Sequence, residues 1–196
     1  MKLKMVEGKV PGNGPERLEF FGLRMAQNQN ALAAIDAVLK ETAPRRILEI
    51  GAGNGGLTAL FGLYGVQTGA QVISYDLKPC RCPAVSVLGV DYRQRDYWPV
   101  FDKLCRLIQL PERCLVFCDG GDKPREFRAF AACLKPGDVI MAHDYFEVVD
   151  SPLRKTVWQW CEITKRDIET ACIEHGLKPI EEDLTRMAAL CAMQKQ

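Results

Sequence analysis

Short runs of apolar and β-branched residues alternate with longer amphipathic segments along most of the chain. Five of these runs predict β-strands, namely RILEI (46–50), VISYD (72–76), VDYRQ (90–94), CLVFCD (114–119) and DVIMAHD (138–144). The intervening segments with helical spacing are GGLTALFGLYG (55–65), DYWPVFDKLCRLIQL (96–110) and KPREFRAFAACL (123–134), and a short helix is predicted from Pro83 to Leu88. Alternation of strand and helix at this rhythm predicts a parallel, doubly wound α/β sheet.

The N-terminal part of the chain precedes this alternation. Residues 1–16 are rich in glycine and proline and are predicted to form a loose arm. Apolar residues then recur at helical spacing from Leu18 to Lys40, so a helix is predicted within residues 17–45. Residues 46–196 are expected to form the sheet core.

The C-terminal part is predicted to close the sheet with antiparallel strands. A helix is predicted to end at Gly176, and two later runs, LKPIEED (177–183) and AALCAMQ (188–194), suit an antiparallel hairpin at a sheet edge. Five parallel strands and this pair make a Rossmann-like, seven-stranded sheet that is mostly parallel. At 196 residues the chain is expected to form a single domain.

The charges are nearly balanced along the whole sequence. The 26 basic and 25 acidic residues give a formal net charge of +1, with no run of five like charges. This balance argues against a nucleic-acid partner. The N-terminus lacks the apolar core of a signal peptide and no segment has the length of a membrane span, so no membrane partner and a cytoplasmic location are expected.

Nine cysteines are scattered along the chain, several of them inside apolar runs. An odd number at such positions favours reduced core thiols in a reducing compartment. Cys80 and Cys82 stand two residues apart, but no second Cys/His pair at zinc spacing accompanies them. The cysteines therefore predict neither a disulfide framework nor a zinc site.

The motif with the most chemical content is RILEIGAGNGGLT (46–58), which follows the first strand of the predicted sheet. Gly51, Gly53 and Gly56 match the pattern G-x-G-x-x-G, in which the backbone of a dinucleotide site approaches a pyrophosphate. Glu49 stands two residues before the first glycine and would place an anion beside that pyrophosphate. S-adenosylmethionine (SAM) instead has an ammonium and a sulfonium group and no phosphate, so a carboxylate there would attract it.

This motif resembles the first motif of class I SAM-dependent methyltransferases. Asp76 at the end of the second strand, Asp96 after the third, Asp119 after the fourth and LKPGD (134–138) before the fifth follow in the order of that family. The resemblance covers roughly residues 47–145. Within the class, the pattern is similar to the cephalosporin hydroxylase and macrocin O-methyltransferase-like group.

The resemblance implies a SAM site at the carboxyl ends of the strands. It assigns Asp76 to the ribose hydroxyls, Asp96 to the adenine amino group and Tyr97 to a ring contact, with Asp91 as the alternative to Asp96 if the strand register differs. The implied cofactor-binding set is Glu49, Gly51, Ala52, Gly53, Asn54, Asp76, Leu77, Asp96, Tyr97 and Asp119.

The same resemblance suggests catalytic residues and a metal. In metal-dependent members, an aspartate after the fourth strand and a pair after the fifth hold a divalent cation, and the matching positions are Asp119 with His143 and Asp144. His143 stands where metal-dependent members usually have a carboxylate. In the catechol O-methyltransferase type a lysine that acts as a base follows the metal aspartate by three residues, whereas Lys123 follows Asp119 by four. Mg²⁺ therefore stays an open candidate cofactor. His143 is the candidate to accept the proton of the methylated hydroxyl, with Asp144 orienting it.

The implied reaction is O-methylation of a small molecule. The expected walls of the acceptor pocket are the N-terminal arm and residues 144–155 and 157–162, including Trp158 and Trp160. Two alternatives stay open: an NAD-dependent oxidoreductase on the same sheet, and a catalytically inactive methyltransferase-fold binding protein. A homo-oligomer is also open, because a partner subunit could complete so small a pocket.

Overall fold

A computed structural model describes residues 4–5, 18–20, 23–25, 27–152 and 161–196 of the chain. The strands are β1 (Lys4–Met5), β2 (Leu18–Phe20), β3 (Leu23–Arg24), β4 (Arg46–Ile50), β5 (Gln71–Asp76), β6 (Asp91–Gln94), β7 (Cys114–Cys118), β8 (Val139–His143), β9 (Tyr145–Phe146), β10 (Ile163–Thr164), β11 (Leu177–Pro179) and β12 (Leu190–Lys195). The helices are α1 (Gln29–Thr42), α2 (Gly56–Thr68), α3 (Ala84–Val87), α4 (Phe101–Ile108), α5 (Lys123–Ala131), α6 (Lys165–Glu174) and α7 (Glu182–Met187), and a 3₁₀ turn at Trp98–Val100 precedes α4.

The main sheet has seven strands in the order β11-β12-β8-β7-β4-β5-β6. The five strands from β8 to β6 are mutually parallel, whereas β12 pairs antiparallel with β8 and with β11. The predicted Rossmann-like fold class, a mostly parallel seven-stranded sheet closed by an antiparallel C-terminal pair, is therefore confirmed. The two strands of that pair are joined through α7 rather than by a tight turn.

Helices cover both faces of this sheet. Strands β4, β7 and β8 are buried at every position, because successive side chains enter two different cores. One core joins Phe117 and its neighbours on the same face to α1, α2 and α3, and the other joins Val116 and the opposite face to α4, α5 and α6. This two-sided burial explains why the strands read as continuous apolar runs in the sequence.

The predicted N-terminal helix is wrong at its start. The helix begins at Gln29, where the Asn28 side chain accepts a hydrogen bond from the Ala31 amide at 2.9 Å and caps the first turn. The preceding Leu18–Phe20 and Leu23–Arg24 are instead the strands β2 and β3, and β2 also pairs with β1. These strands are only three and two residues long, too short to interrupt the helical spacing of the apolar residues, so the sequence pattern predicts a helix there.

The prediction that all cysteines are reduced is also wrong. Cys105 on α4 and Cys133 after α5 form a disulfide across 28 residues of sequence, and the described residues contain no second disulfide. This bridge joins two segments on the same face of the sheet. Separately, no helix among the described residues is long and apolar enough to span a membrane.

The disulfide gives a prediction on stability. We expect Cys105→Ser to lower the free energy of unfolding by about 2–4 kcal/mol, because the bridge restricts the unfolded chain. Urea denaturation with and without dithiothreitol measures this: reduction should destabilise the wild-type protein by a similar amount and leave the variant unchanged. Cys172→Ser, which replaces a free thiol on α6, is the matched control. A wild-type protein whose denaturation is insensitive to dithiothreitol would contradict the prediction.

Candidate functional site

Two adjoining cavities lie at the carboxyl ends of the parallel strands. The sheet order places β5 on one side of β4 and β7 on the other, and such a switch point opens a crevice where doubly wound sheets bind ligands. The larger cavity has a volume of about 440 Å³ and the smaller of about 200 Å³, and Gly51, Asp76 and Asp119 line both. The volume of the larger cavity is within the roughly 300–1,000 Å³ typical of small-molecule sites.

The glycine loop after β4 is held against the neighbouring strand ends. The Gly51 amide donates to the carbonyl of Tyr75 at 2.8 Å, and the Asp119 amide donates to the carbonyl of Ile50 at 2.8 Å. Gly51 has a φ of +89°, and a Cβ there would lie 2.1 Å from the backbone oxygen of Asp119. Only glycine satisfies both the conformation and this close approach.

Glu49 lies under the glycine loop rather than in either cavity. Its side chain is fully buried, and its Oε2 accepts hydrogen bonds from Thr58 on α2 at 2.7 Å and from Ser74 on β5 at 2.5 Å. Burial raises the pKa of this carboxyl to about 7, although the two hydroxyls oppose the shift. The residue therefore links β4, β5 and α2 and places an ionisable group directly below the loop.

Asp76 is the carboxylate that faces the crevice at the end of β5. Its Oδ2 accepts from the Gly53 amide at 2.8 Å and its Oδ1 accepts from the Lys78 amide at 2.8 Å. Each oxygen keeps a second acceptor direction, so the carboxylate can still accept two further hydrogen bonds. The contact with Gly53 also ties the tip of the glycine loop to β5.

The larger cavity contains the other residues predicted around the adenine ring. Asp96, Tyr97 and Leu77 all line it, and Leu77 is 72% exposed at its rim. The Asp96 carboxylate accepts from the Trp98 amide at 3.0 Å. Asp91 is not among the lining residues, because it begins β6 and pairs with Arg93. The structure thus favours Asp96 over the alternative Asp91.

Several lining residues of the larger cavity escaped the sequence analysis, among them Trp98, Glu126 and the basic residues Lys78 and Arg95. Trp98 packs its ring 4.7 Å from that of Tyr97, and Glu126 on α5 accepts from the amides of Gly120 and Asp122. Burial raises the pKa of Glu126. The tryptophan adjoins a residue already selected in the sequence, whereas Glu126 lies inside an amphipathic helix with no local signal of its role.

Asp119 connects the two cavities with the region behind them. Its Oδ2 accepts from Gln27 Nε2 at 3.1 Å, and Gln27 and Met25 line the smaller cavity with Ala52, Gly53 and Asn54. Gln27 and Met25 precede α1 in sequence, so only the folded chain brings them to the glycine loop. No lysine or arginine of the described chain lines this smaller cavity.

Behind Asp119 lies an acidic cluster, defined by Asp119, Asp144 and Glu162, around the ammonium of Lys123. Lys123 Nζ lies 3.3 Å from Asp119 Oδ1 and 2.9 Å from Asp144 Oδ2, and it also pairs with Glu162. Its side chain is only 4% exposed. Glu162 was predicted only as part of the acceptor wall and not as a partner of Lys123, because their contact spans 39 residues of sequence.

His143 is the last residue of β8 and packs against the same cluster. Its Nδ1 lies 3.4 Å from Asp119 Oδ1 and 3.3 Å from Asp144 Oδ1. Asp144 itself has a φ of +58°, an uncommon conformation for a residue with a side chain. Its carbonyl accepts from the Glu162 and Ile163 amides at 3.0 and 3.4 Å, which fixes Glu162 beside it.

Burial and charge act against each other at these groups. Burial tends to lower the pKa of His143, but Asp119 and Asp144 more than offset it and raise that pKa. Burial likewise opposes the charged form of Lys123, yet the neighbouring carboxylates hold its pKa above the ordinary value. Burial raises the pKa of Asp144 despite His143 and Lys123. The cluster therefore contains a stable internal cation.

These positions allow a test of the proposed magnesium site. Single ligand atoms of Asp119, His143 and Asp144 lie within 4.8 Å of one another, a spacing that a metal could bridge. However, Lys123 already places its ammonium against both carboxylates, and a histidine nitrogen is a poor ligand for Mg²⁺. The residues present therefore do not fit a hard divalent cation.

The predicted catalytic residues lie behind the cavities. Neither His143 nor Asp144 is among the described residues that line the two cavities, and both side chains are at least nine-tenths buried. Their catalytic roles stay predictions. Trp158 and Trp160, predicted in the acceptor wall, and most of the N-terminal arm lie outside the described residues.

Comparison with family models and with curated proteins finds no match to this sequence. Solved structures are similar in fold. CmcI in its Mg-SAM form aligns at 20% identity and a TM-score of 0.65, over 91% of this chain and 76% of CmcI. The SAH-bound methyltransferase PaMTH1 of Podospora anserina aligns at 12% identity and a TM-score of 0.56, over 88% and 80% of the two chains. The sugar N-methyltransferase KedS8 of Streptoalloteichus aligns at 14% identity and a TM-score of 0.53, over 86% and 87%. The chain therefore has the Rossmann-like fold of methyltransferases, as the sequence predicted.

The raised pKa of Glu49 leads to a prediction on the pH dependence of stability. The folded state keeps the Glu49 proton up to about pH 7, whereas the unfolded state loses it near its ordinary pKa of about 4.3. Unfolding therefore becomes easier as pH rises through this window. Glu49→Gln lacks this titration. From pH 5 to pH 8 its free energy of unfolding should therefore rise relative to that of wild type by up to about 3 kcal/mol, because a shift of one pKa unit corresponds to about 1.4 kcal/mol.

Urea denaturation at pH 5 and pH 8 measures this difference. Glu41→Gln, which neutralises an exposed glutamate at the end of α1, serves as the matched control and should follow the wild type at both pH values. If the free energy of unfolding changes with pH to the same extent in wild type and in Glu49→Gln, Glu49 is not the cause of the pH dependence.

Proposed function

We propose that the protein is a SAM-dependent methyltransferase that acts on a small-molecule acceptor, with an acceptor oxygen as the methylated atom. One observation supports this more than any other. The smaller cavity beside the glycine loop is lined by the carboxylates of Asp76 and Asp119 and by no basic side chain of the described residues.

A cavity of this charge discriminates between the two cofactors that a glycine loop can bind. The methionine half of SAM carries an ammonium and a sulfonium, which the two carboxylates attract. The pyrophosphate of NAD would instead lie against these anions, with Glu49 buried directly below. At the glycine loop the electrostatics therefore disfavour the oxidoreductase alternative, while the basic residues Lys78 and Arg95 line only the larger cavity.

The larger cavity suits the adenosine half of the same cofactor. Asp76 lines both cavities and is proposed to accept from the ribose hydroxyls, and Asp96, which lines the larger one, is proposed to accept from the adenine amino group. Tyr97 and Trp98 offer ring surfaces, and Leu77 contributes an exposed apolar side chain at the rim. A ribose diol and a purine ring need this combination of polar and apolar groups.

The structural neighbours support the proposal through what they bind. CmcI is in a Mg-SAM form and PaMTH1 is bound to SAH, the demethylated product of SAM. KedS8 is a sugar N-methyltransferase, so this fold also serves transfer to nitrogen. The choice of oxygen in this protein rests on the resemblance of its sequence motifs.

The chemistry asks mainly for alignment. A lone pair of the acceptor oxygen attacks the methyl carbon, the carbon–sulfur bond breaks with its electrons on sulfur, and the hydroxyl proton leaves the acceptor. Alignment and exclusion of water account for most of the acceleration in such a displacement. Asp119 is the cluster member that lines both cavities, and His143 lies behind it with Nδ1 3.4 Å from Asp119 Oδ1. The acceptor proton is proposed to pass to the Asp119 carboxylate and from there to His143, which Asp144 orients.

The cofactor assignment is tested by isothermal titration with S-adenosylhomocysteine, using NAD as the comparison ligand. We expect wild type to bind the homocysteine compound and not NAD. Asp76→Ala should weaken that binding roughly 100-fold, since two charge-assisted hydrogen bonds are lost, each contributing about 1.5–3 kcal/mol.

Two aspartate variants control for general effects of removing a charge. Asp91→Ala changes an aspartate of the adjacent strand that does not line the cavities, and Asp144→Ala changes one behind them. Both should retain the affinity of wild type. Equal losses in all three variants would count against the assigned roles, and binding of NAD alone would overturn the proposal.

A further inference from the structure

We infer that Lys123 is the resident cation of the acidic cluster and that the protein works with no divalent metal there. The inference rests on the proposed methyltransferase function and specifies how its site is neutralised. It differs from the metal site that the sequence left open at Asp119, His143 and Asp144.

The first argument is the stoichiometry of the contacts. A lysine ammonium has three N–H donors, and three carboxylates surround Lys123 Nζ, those of Asp119, Asp144 and Glu162. Two of these donors form hydrogen bonds with Asp144 and Glu162, and the Asp119 carboxylate lies 3.3 Å from Nζ as a third ion pair. The three carboxylates surround one position, which the ammonium occupies and which a bridging metal ion would otherwise take.

The second argument is that a metal and the ammonium exclude each other. A divalent cation would need the oxygens of Asp119 and Asp144 at about 2.0–2.6 Å, which places it within a few ångströms of the ammonium. Repulsion between such charges is strong in a buried site. Lys123 would have to withdraw, but only 4% of its side chain is exposed.

The third argument is that the helix start fixes the lysine. Lys123 is the first residue of α5, and the Asp122 side chain caps this helix by accepting from the Arg125 amide at 3.2 Å. Pro124 follows within the first turn, where its restricted φ favours helix initiation. The backbone at Lys123 is thereby held in one conformation, and the side chain points to Asp119, four residues earlier in the loop after β7.

The inference also constrains the acceptor. A metal can hold two adjacent hydroxyls of an acceptor through its open coordination positions. The Lys123 ammonium is paired with three carboxylates and has no open coordination positions, so it cannot hold two hydroxyls in this way. The acceptor is therefore a molecule recognised through shape and hydrogen bonds around a single nucleophilic atom, and not one that must chelate a cation.

The test titrates metal-free protein with Mn²⁺ and Mg²⁺ and follows free Mn²⁺ by electron paramagnetic resonance. Wild type should show no saturable binding below millimolar concentration, and its affinity for S-adenosylhomocysteine should be the same in EDTA and in Mg²⁺. Tight binding of either metal to wild type, or loss of S-adenosylhomocysteine affinity in EDTA, would overturn the inference.

The variant Lys123→Ala tests the converse expectation, that removal of the ammonium creates a metal site. Removal of the ammonium frees the carboxylate oxygens, so this variant should bind Mn²⁺ at least roughly tenfold more tightly than wild type and its melting temperature should rise when Mn²⁺ is added. Lys103→Ala, which removes an exposed lysine on α4, is the matched control and should behave as wild type does. Equal metal affinity in Lys123→Ala and wild type would contradict the inference.

Further measurements keep the result decisive. If Lys123→Ala does not fold without metal, Lys123→Met combined with Asp144→Asn removes one anion together with the cation and should fold. The carboxylates of Asp119 and Glu162 are then released from the ammonium, so this double variant should still bind Mn²⁺ more tightly than wild type, and equal affinity would contradict the inference. Failure of wild type to bind S-adenosylhomocysteine at all would refute the proposed function, while the Mn²⁺ titrations would still decide the role of Lys123.

Discussion

Burial of the main sheet on both faces is the constraint on which the rest of the structure depends. The side chains of β4, β7 and β8 enter two apolar cores, so these strands have almost no room for polar groups along their length. Polar residues are therefore concentrated where the strands end, and the switch point beside β4 brings several of these ends together. The site is a consequence of this burial, because the carboxyl ends are where the backbone leaves the core.

Glu49 is the exception, and the free energy that burial of its carboxylate costs shows how strong this constraint is. It is a carboxylate inside a central strand, with hydroxyls of Thr58 and Ser74 bonded to one oxygen. Its pKa rises to about 7 because the surrounding core disfavours the charge. An ionisable group at that depth destabilises the fold near neutral pH, which suggests that its presence serves the glycine loop above it.

The regular parts of this fold could be predicted from the sequence because they follow from local pattern. Continuous apolar runs identify strands covered on both sides, and Asp76 and Asp119 could be placed because they stand where such runs end. Asp96 follows the polar, partly exposed strand β6 and was placed only through the order of the family motifs. The residues that were missed reach the site through contacts distant in sequence: Gln27 approaches Asp119 across 92 residues and Glu162 approaches Lys123 across 39.

Lys123 shows how one such contact changes the chemistry assigned to the others. From the sequence, Asp119, His143 and Asp144 resemble an incomplete set of metal ligands. In the structure, the same lysine pairs with Asp119 after β7, with Asp144 after β8 and with Glu162 before β10. It thus links three separate segments of the chain, which is the structural role that a bridging metal would have, and it does so with a side chain that is always present. An internal cation of this kind makes the geometry around Asp119 independent of metal supply, so that only the cofactor and the acceptor have to be bound from solution.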